Sequence, residues 1–256
     1  MASPSQRYFA VLALFAVSLK FCYCQNITVD DNGWGYAGVT WYGEAGGAGS
    51  TGYGSAVANP PFYAMISAGG PSLFNSGKGC GTCYQIVCYE NRACSRRPIR
   101  VTITDECPGG PCASESAHFD LSGKAIGALA RPGQADRLRA AGVLRVIYRR
   151  TPCRYRRTAI AFHIDAGSNP YYIAFAVEYE NGDGDFASIE IQPAGGKYIP
   201  MQEMRSSVWN VNYGSPLRGP FNIRLTSGES RKTNVAQDVI PENWRPDQTY
   251  RSIVNF

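Results

Sequence analysis

The cysteines constrain this chain most. All nine fall at or before Cys153, and the last hundred residues hold none. Any cross-linking is therefore confined to the first part, and the rest must hold together by an apolar core alone. Charge divides at the same place. Residues 25–156 carry 14 Lys/Arg against 9 Asp/Glu, whereas residues 157–256 carry 9 against 11. Two compositions in 256 residues read as two domains, joined near Tyr155-Arg156-Arg157-Thr158. Hydrophobic residues at 44% fill a core for each, and charged residues at 18% are too few for a solvated disordered chain. The net charge of +5 contains no Lys/Arg block, which argues against a nucleic-acid partner. Only His118 and His163 are available to a histidine-built metal centre, so neither metal nor cofactor is expected.

The N-terminus reads as an address. Arg7 precedes an apolar run from Phe9 to Leu19, far short of the roughly 20 residues that span a bilayer. A signal peptide over residues 1–24, cut after Cys24, is expected, with no membrane span and a secreted product. Asn26-Ile27-Thr28 is then a glycosylation site. Seven cysteines remain. Cys80, Cys83, Cys88 and Cys94 could be drawn as a zinc cluster, but an oxidising route favours disulfides. Cys107 and Cys112 can close on each other across Pro108-Gly109-Gly110-Pro111. An odd number leaves at least one thiol over.

The pattern along the chain is mainly β. Residues 30–80 are glycine-rich and read as loops around short strands. Ile99 to Thr104 alternates apolar and polar, as a half-buried strand does, and Leu144 to Tyr148 returns to strand. Ser122 can cap a helix from Gly123 to Ala130, and a second short helix runs from Gln134 to Ala141. Beyond the joint, strands recur at 159–164, 171–180, 186–192, 206–212, 220–226 and 235–240, which suggests a β-sandwich. Asn181-Gly182-Asp183-Gly184 reads as a hairpin turn.

Asp105 and Asp120 are two of few acids in the first part, each following an apolar stretch. Paired carboxylates are the apparatus of glycoside hydrolysis, and equally they can cap turns or pair with arginines. Thr40-Trp41-Tyr42-Gly43, Cys80-Gly81-Thr82-Cys83-Tyr84, Ile103-Thr104-Asp105 and His118-Phe119-Asp120-Leu121-Ser122 form a distinctive set. With Ser168-Asn169-Pro170-Tyr171-Tyr172 and Gly219-Pro220-Phe221 downstream, the chain closely resembles a plant β-expansin.

That resemblance implies a six-stranded double-psi β-barrel followed by an immunoglobulin-like β-sandwich. The domains would be an N-terminal extension at 25–37, an endoglucanase-like barrel at 38–156 and a carbohydrate-binding domain at 157–256. It implies a secreted, monomeric, cell-wall-loosening protein that binds arabinoxylan and cellulose without cutting them. Asp120 matches the proton donor of family-45 endoglucanases, with Thr40, Tyr42 and Asp105 around it. The family lacks the second catalytic carboxylate; Glu44 stands about where the hydrolase carries it and is expected to be a solvent-exposed loop residue. His118 orients the acid, helps hold sugar hydroxyls or is structural, and His163 is expected to be structural. Trp41, Tyr172 and Trp209 match rings that stack on sugars, and Trp244 is expected to pack in the core. The family pattern pairs Cys83 with Cys153 and Cys88 with Cys94. Its partner for Cys80 is missing, because Gly49-Ser50-Thr51-Gly52-Tyr53-Gly54 replaces a longer cysteine-bearing loop. Cys80 is then the unpaired thiol, and the segment from Glu44 to Gly54 is expected to be mobile.

Overall fold

Fifteen strands and a few short helices build the protein in a computed structural model described for residues 33–43, 53–204 and 207–256. The signal segment, Asn26, Glu44 and most of the glycine loop lie outside the described residues. The first six strands are β1 (Gly35–Gly43), β2 (Ile66–Gly69), β3 (Cys83–Cys88), β4 (Ile99–Glu106), β5 (His118–Ser122) and β6 (Leu144–Arg150). They close into a barrel in the order β1-β5-β2-β4-β3-β6. Two of its pairings, β1 with β5 and β2 with β4, are parallel. The architecture is that of a double-psi β-barrel.

The second unit contains β7 (Ala161–Ile164), β8 (Tyr172–Glu178), β9 (Phe186–Gln192), β10 (Ile199–Pro200) and β11 (Gln202–Glu203). It continues with β12 (Val208–Asn212), β13 (Phe221–Ser227), β14 (Thr233–Ile240) and β15 (Thr249–Arg251). They form a four-stranded sheet, β10-β9-β13-β14, and a five-stranded sheet, β11-β12-β8-β7-β15. Side chains of period two explain why the patterns fold this way. In β13, Phe221, Ile223 and Leu225 are buried and the residues between them are half-buried.

Each unit has its own core. In the barrel, Val39, Ile86, Val101, Ile103, Phe119 and Leu121 are wholly buried. Tyr84, Phe119 and Tyr148 meet edge-on or tilted at centroid distances of 5.1 to 5.9 Å. In the sandwich, Phe162 meets Phe175 edge to face at 5.3 Å. The expected helix from Gly123 ends at Leu129, and the Ser122 hydroxyl accepts the Ala125 amide as its cap.

Three expectations change. The glycine-rich start holds a nine-residue strand, β1, which begins at Gly35 and so enters the barrel before residue 38. Asn181–Gly184 is no hairpin: β8 and β9, on either side of it, belong to different sheets. The turn instead docks on the barrel, where Gly182 and Cys153 exchange both backbone hydrogen bonds, at 2.7 and 3.1 Å. Nor is Tyr155 a linker residue. It is buried with Tyr53, Phe62 and Tyr179 in a cluster of rings shared by the two units.

Candidate functional site

Barrel closure brings Thr40, Asp120 and His118 together. Thr40 lies opposite Asp120 in the β1–β5 register, and its hydroxyl donates to the Asp120 carboxylate at 2.6 Å. The same hydroxyl lies 2.9 Å from His118 Nε2. His118 is wholly buried, and its Nδ1 is 2.8 Å from Glu115, whose other oxygen meets Arg145 at 3.2 Å. Glu115 was not singled out in the sequence. Its signal is the glycine at position 38, where a Cβ would overlap the Glu115 carboxylate.

This chain of contacts has two balanced proton arrangements. In one, Thr40 donates to an ionised Asp120 and accepts from Nε2–H of an imidazolium, with Nδ1–H held by Glu115. In the other, Asp120 carries the proton and donates to Thr40, which donates to Nε2 of a neutral ring. Both hold the same number of protons. In either arrangement the Thr40 hydroxyl bridges the Asp120 carboxyl and the His118 ring.

Asp105 joins Asp120 through β2. Ala68 is the register partner of Asp120 on one side and of Asp105 on the other, the second pairing made possible by an irregularity between Ser67 and Ala68. Two carboxylates thus flank one small residue in a single row. Two strand spacings place their Cα atoms about 9.5 Å apart. Tyr42 stands over this row, half-exposed. Burial first, then the charges of Asp105 and Asp120, push its phenol up to about 12, so it remains a hydrogen-bond donor across the working range.

Trp41 is exposed, and its ring is fixed: Nε1–H donates to the Arg139 carbonyl at 3.1 Å and the Arg139 guanidinium covers the ring at 5.5 Å. Tyr172 is half-buried on the outer side of the five-stranded sheet, and its hydroxyl donates to the Met204 sulfur at 3.7 Å. Trp209 is not an exposed platform. It is 5% exposed and belongs to the sandwich core with Phe175 and Val211. Parity explains the correction: Trp209 pairs with Phe175, both facing inward, whereas Tyr172 pairs with Asn212 on the outer side. The apolar side chains exposed near Tyr172 are Tyr171, Met204 and Tyr213, which sequence reading missed. Trp244 packs against the sandwich core, and His163 bonds Thr249 at 2.9 Å within the sheet.

The barrel and the β11 edge of the five-stranded sheet meet near Cys80, a buried free thiol that burial, followed by the charges of Asp105, Glu203 and Glu106, pushes up to about 12. Glu203 is in β11, the edge strand nearest Met204. The other six described cysteines are bridged as Cys83–Cys153, Cys88–Cys94 and Cys107–Cys112. Among the described residues no cluster of His, Cys, Asp and Glu is arranged to hold a metal, and no helix is long and apolar enough to cross a membrane.

Comparison with known proteins agrees with this architecture. The family model described as "Expansin C-terminal domain" matches residues 160–241, and one described as "Lytic transglycolase" matches residues 66–148. The chain is 75% identical to Expansin-B6 and to Expansin-B4 of Arabidopsis thaliana, covering all of each chain. It is 50% identical to Expansin-B11 of Oryza sativa subsp. japonica over 88% of this chain and 78% of that one. Among solved structures, the apo expansin of Clavibacter michiganensis superposes with a TM-score of 0.65 at 20% identity, covering 87% of this chain and 97% of that one. A mutant of that protein in complex with cellohexaose gives 0.66 at 19%. With full-length identity of this order to two members and both domains accounted for, the chain belongs to the β-expansin family.

Proposed function

We propose that this is a secreted cell-wall protein that loosens the wall without hydrolysis. It binds a matrix polysaccharide of the arabinoxylan type, and cellulose, along the surface that runs from Trp41 and the acid row to Tyr172. The observation that carries the reading is that the barrel meets the edge of the five-stranded sheet next to the acid row: Asp105 of the barrel and Glu203 of edge strand β11 bear on the same buried thiol. Sugar rings stack on Trp41 and Tyr172, while Asp120, Tyr42 and Asp105 exchange hydrogen bonds with hydroxyl groups. An Asp120 that switches between acceptor and donor competes for the hydrogen bonds one glycan makes with the next. The complex of a bacterial family member with cellohexaose supports a β-1,4-glucan as one ligand.

One observation favours a second reading. The Asp120–Ala68–Asp105 row sets two carboxylate residues side by side on one row, and a carboxylate pair is what glycoside hydrolysis uses. Against it, the Tyr42 phenol, kept protonated in the field of both carboxylates, adds a donor to the row rather than a second acid–base partner.

A wall-extension assay on heat-inactivated strips, run beside a reducing-sugar assay, tests the proposal. Creep without sugar release is expected, and Asp120→Asn should abolish creep with an unchanged melting curve. Release of sugars from glucan or xylan establishes the hydrolase instead.

A further inference from the structure

A second pocket lies at the junction and shares no residue with the acid row. Its volume is about 530 Å3, and Arg154, Arg156, Arg157 and Lys232 line it. All four are exposed, and none makes an ion pair or a side-chain hydrogen bond among the described residues. The contrast with Arg139, Arg145, Arg150 and Arg224 is plain, since each of those meets a carboxylate. The one acidic side chain in the lining, Asp183, is engaged elsewhere: its Oδ2 accepts the amides of Glu229 and Ser230 at 2.9 and 2.6 Å. Glu180, just beneath Gly182, has its carboxyl pushed up to about 8 by burial, so at acid pH it adds no opposing charge.

The fold keeps these cations outward. Tyr155 is buried between Arg154 and Arg156 and anchors the segment, so its two neighbours face solvent. The positive surface continues on the barrel. Gln85 of β3 is flanked in register by Arg100 of β4 and Arg149 of β6, and Arg100 carries a buried Nε with no hydrogen-bond partner. Strand β3 stands three strands from β5 in either direction round the barrel, on the wall opposite Asp120.

We infer that this pocket and the arginine row beside it bind the carboxylates of a polyuronate chain, at a site separate from the acid row. A guanidinium fork matches a carboxylate with two parallel hydrogen bonds. Cations spread over a pocket and an adjoining wall suit a polymer with an acid on successive sugars better than a small anion. Bound there, the protein is held on acidic matrix while its other face remains open. The choice of a glycan as the polymer rests on the wall-protein reading above; the location of the site does not.

The test uses the whole protein, with polygalacturonate, its fully methyl-esterified form, glucuronoxylan and neutral arabinoxylan as probes in affinity electrophoresis or calorimetry. Arg154→Gln/Arg156→Gln/Arg157→Gln is compared with Arg92→Gln/Lys124→Gln/Arg137→Gln, an equal loss of charge at exposed positions elsewhere. The expected result is more than about tenfold weaker polyuronate binding, with a shallower salt dependence, in the first variant and less than about threefold in the second. The stronger of the two acidic polymers identifies the source of the carboxylate. Equal losses in both variants, or undiminished binding of the methyl ester, overturn the proposal. Neutral arabinoxylan reports the groove independently: its failure to bind sinks the groove reading and leaves polyuronate binding standing.

Discussion

The barrel and the sandwich solve the same problem, a closed β core, by different means, and the difference assigns their work. The barrel encloses a buried histidine and a chain of polar contacts reaching Asp120, and covalent bridges tie it at three places. The sandwich has no cysteine, buries or half-buries most of its aromatics and, among the described residues, exposes Tyr171 and Tyr213 beside half-buried Tyr172 on the five-stranded sheet. Groups that must move protons need a rigid, desolvated cage. Groups that stack need only a flat exposed surface, so the sandwich can be stabilised by packing alone.

The sharpest way to break this comparison is at the two aromatics of the sandwich. Trp209→Ala should cost about 3–5 kcal/mol of stability, because it empties a core position. Tyr172→Ala should change stability by less than about 1 kcal/mol and weaken polysaccharide binding roughly tenfold. Thermal melts and binding isotherms on both variants decide it; a stable Trp209→Ala protein that binds poorly restores Trp209 to the platform.

The barrel's bridges should differ among themselves. Cys83–Cys153 closes 70 residues and Cys88–Cys94 only 6. Replacing the first pair by alanine should cost about 4 kcal/mol and the second about 2 kcal/mol if loop entropy dominates. Equal losses in denaturant titrations would show that native strain governs instead.

A smaller effect is expected from pH. Burial, with the Asp183 charge, outweighs the Gly184 amide and raises Glu180 to about 8. The folded state then holds a proton that the unfolded chain releases near its ordinary carboxyl pKa of about 4.3. The stabilisation is full below that value and lost as pH rises through about 8. The melting temperature should fall between about pH 5 and 8, and Glu180→Gln should flatten the fall; an unchanged slope removes Glu180 as its source.

The smallest expected signal is a single thiol. Cys80 is buried and pushed up to about 12, so the native protein should resist alkylation at pH 8. After denaturation without reductant one equivalent should react, at Cys80. Labelling at Cys83 or Cys153 would contradict the pairing.

Strands of period two were legible in the sequence, and six of the sandwich's nine were read to within about two residues, while the short β10, β11 and β15 were missed. Strand β1 was hidden because Gly35 and Gly38 break its alternation, and Gly38 is small for the sake of a residue far along the chain, Glu115. A tertiary requirement of that kind leaves no local pattern. Asp120, Asp105, Thr40 and Tyr42 were singled out through motifs, but the row that joins the acids depends on an irregular register at Ala68 that no periodicity reveals. Trp209 misled because a motif match carries identity without parity, and one position along a strand exchanges surface for core.

The docking of Asn181–Gly184 on the barrel has a mechanical consequence. Gly81 and Gly184 approach so closely that a Cβ on either would overlap the other's carbonyl. Beside them, paired amides and a ring cluster leave the joint little room to flex. The molecule is then a strut of fixed length rather than two beads on a string. Under the proposed function, a glycan seated on one face would present its next stretch to the other at a local concentration set by geometry, with no tether entropy to lose, and one that bends away would have to break contacts at one end.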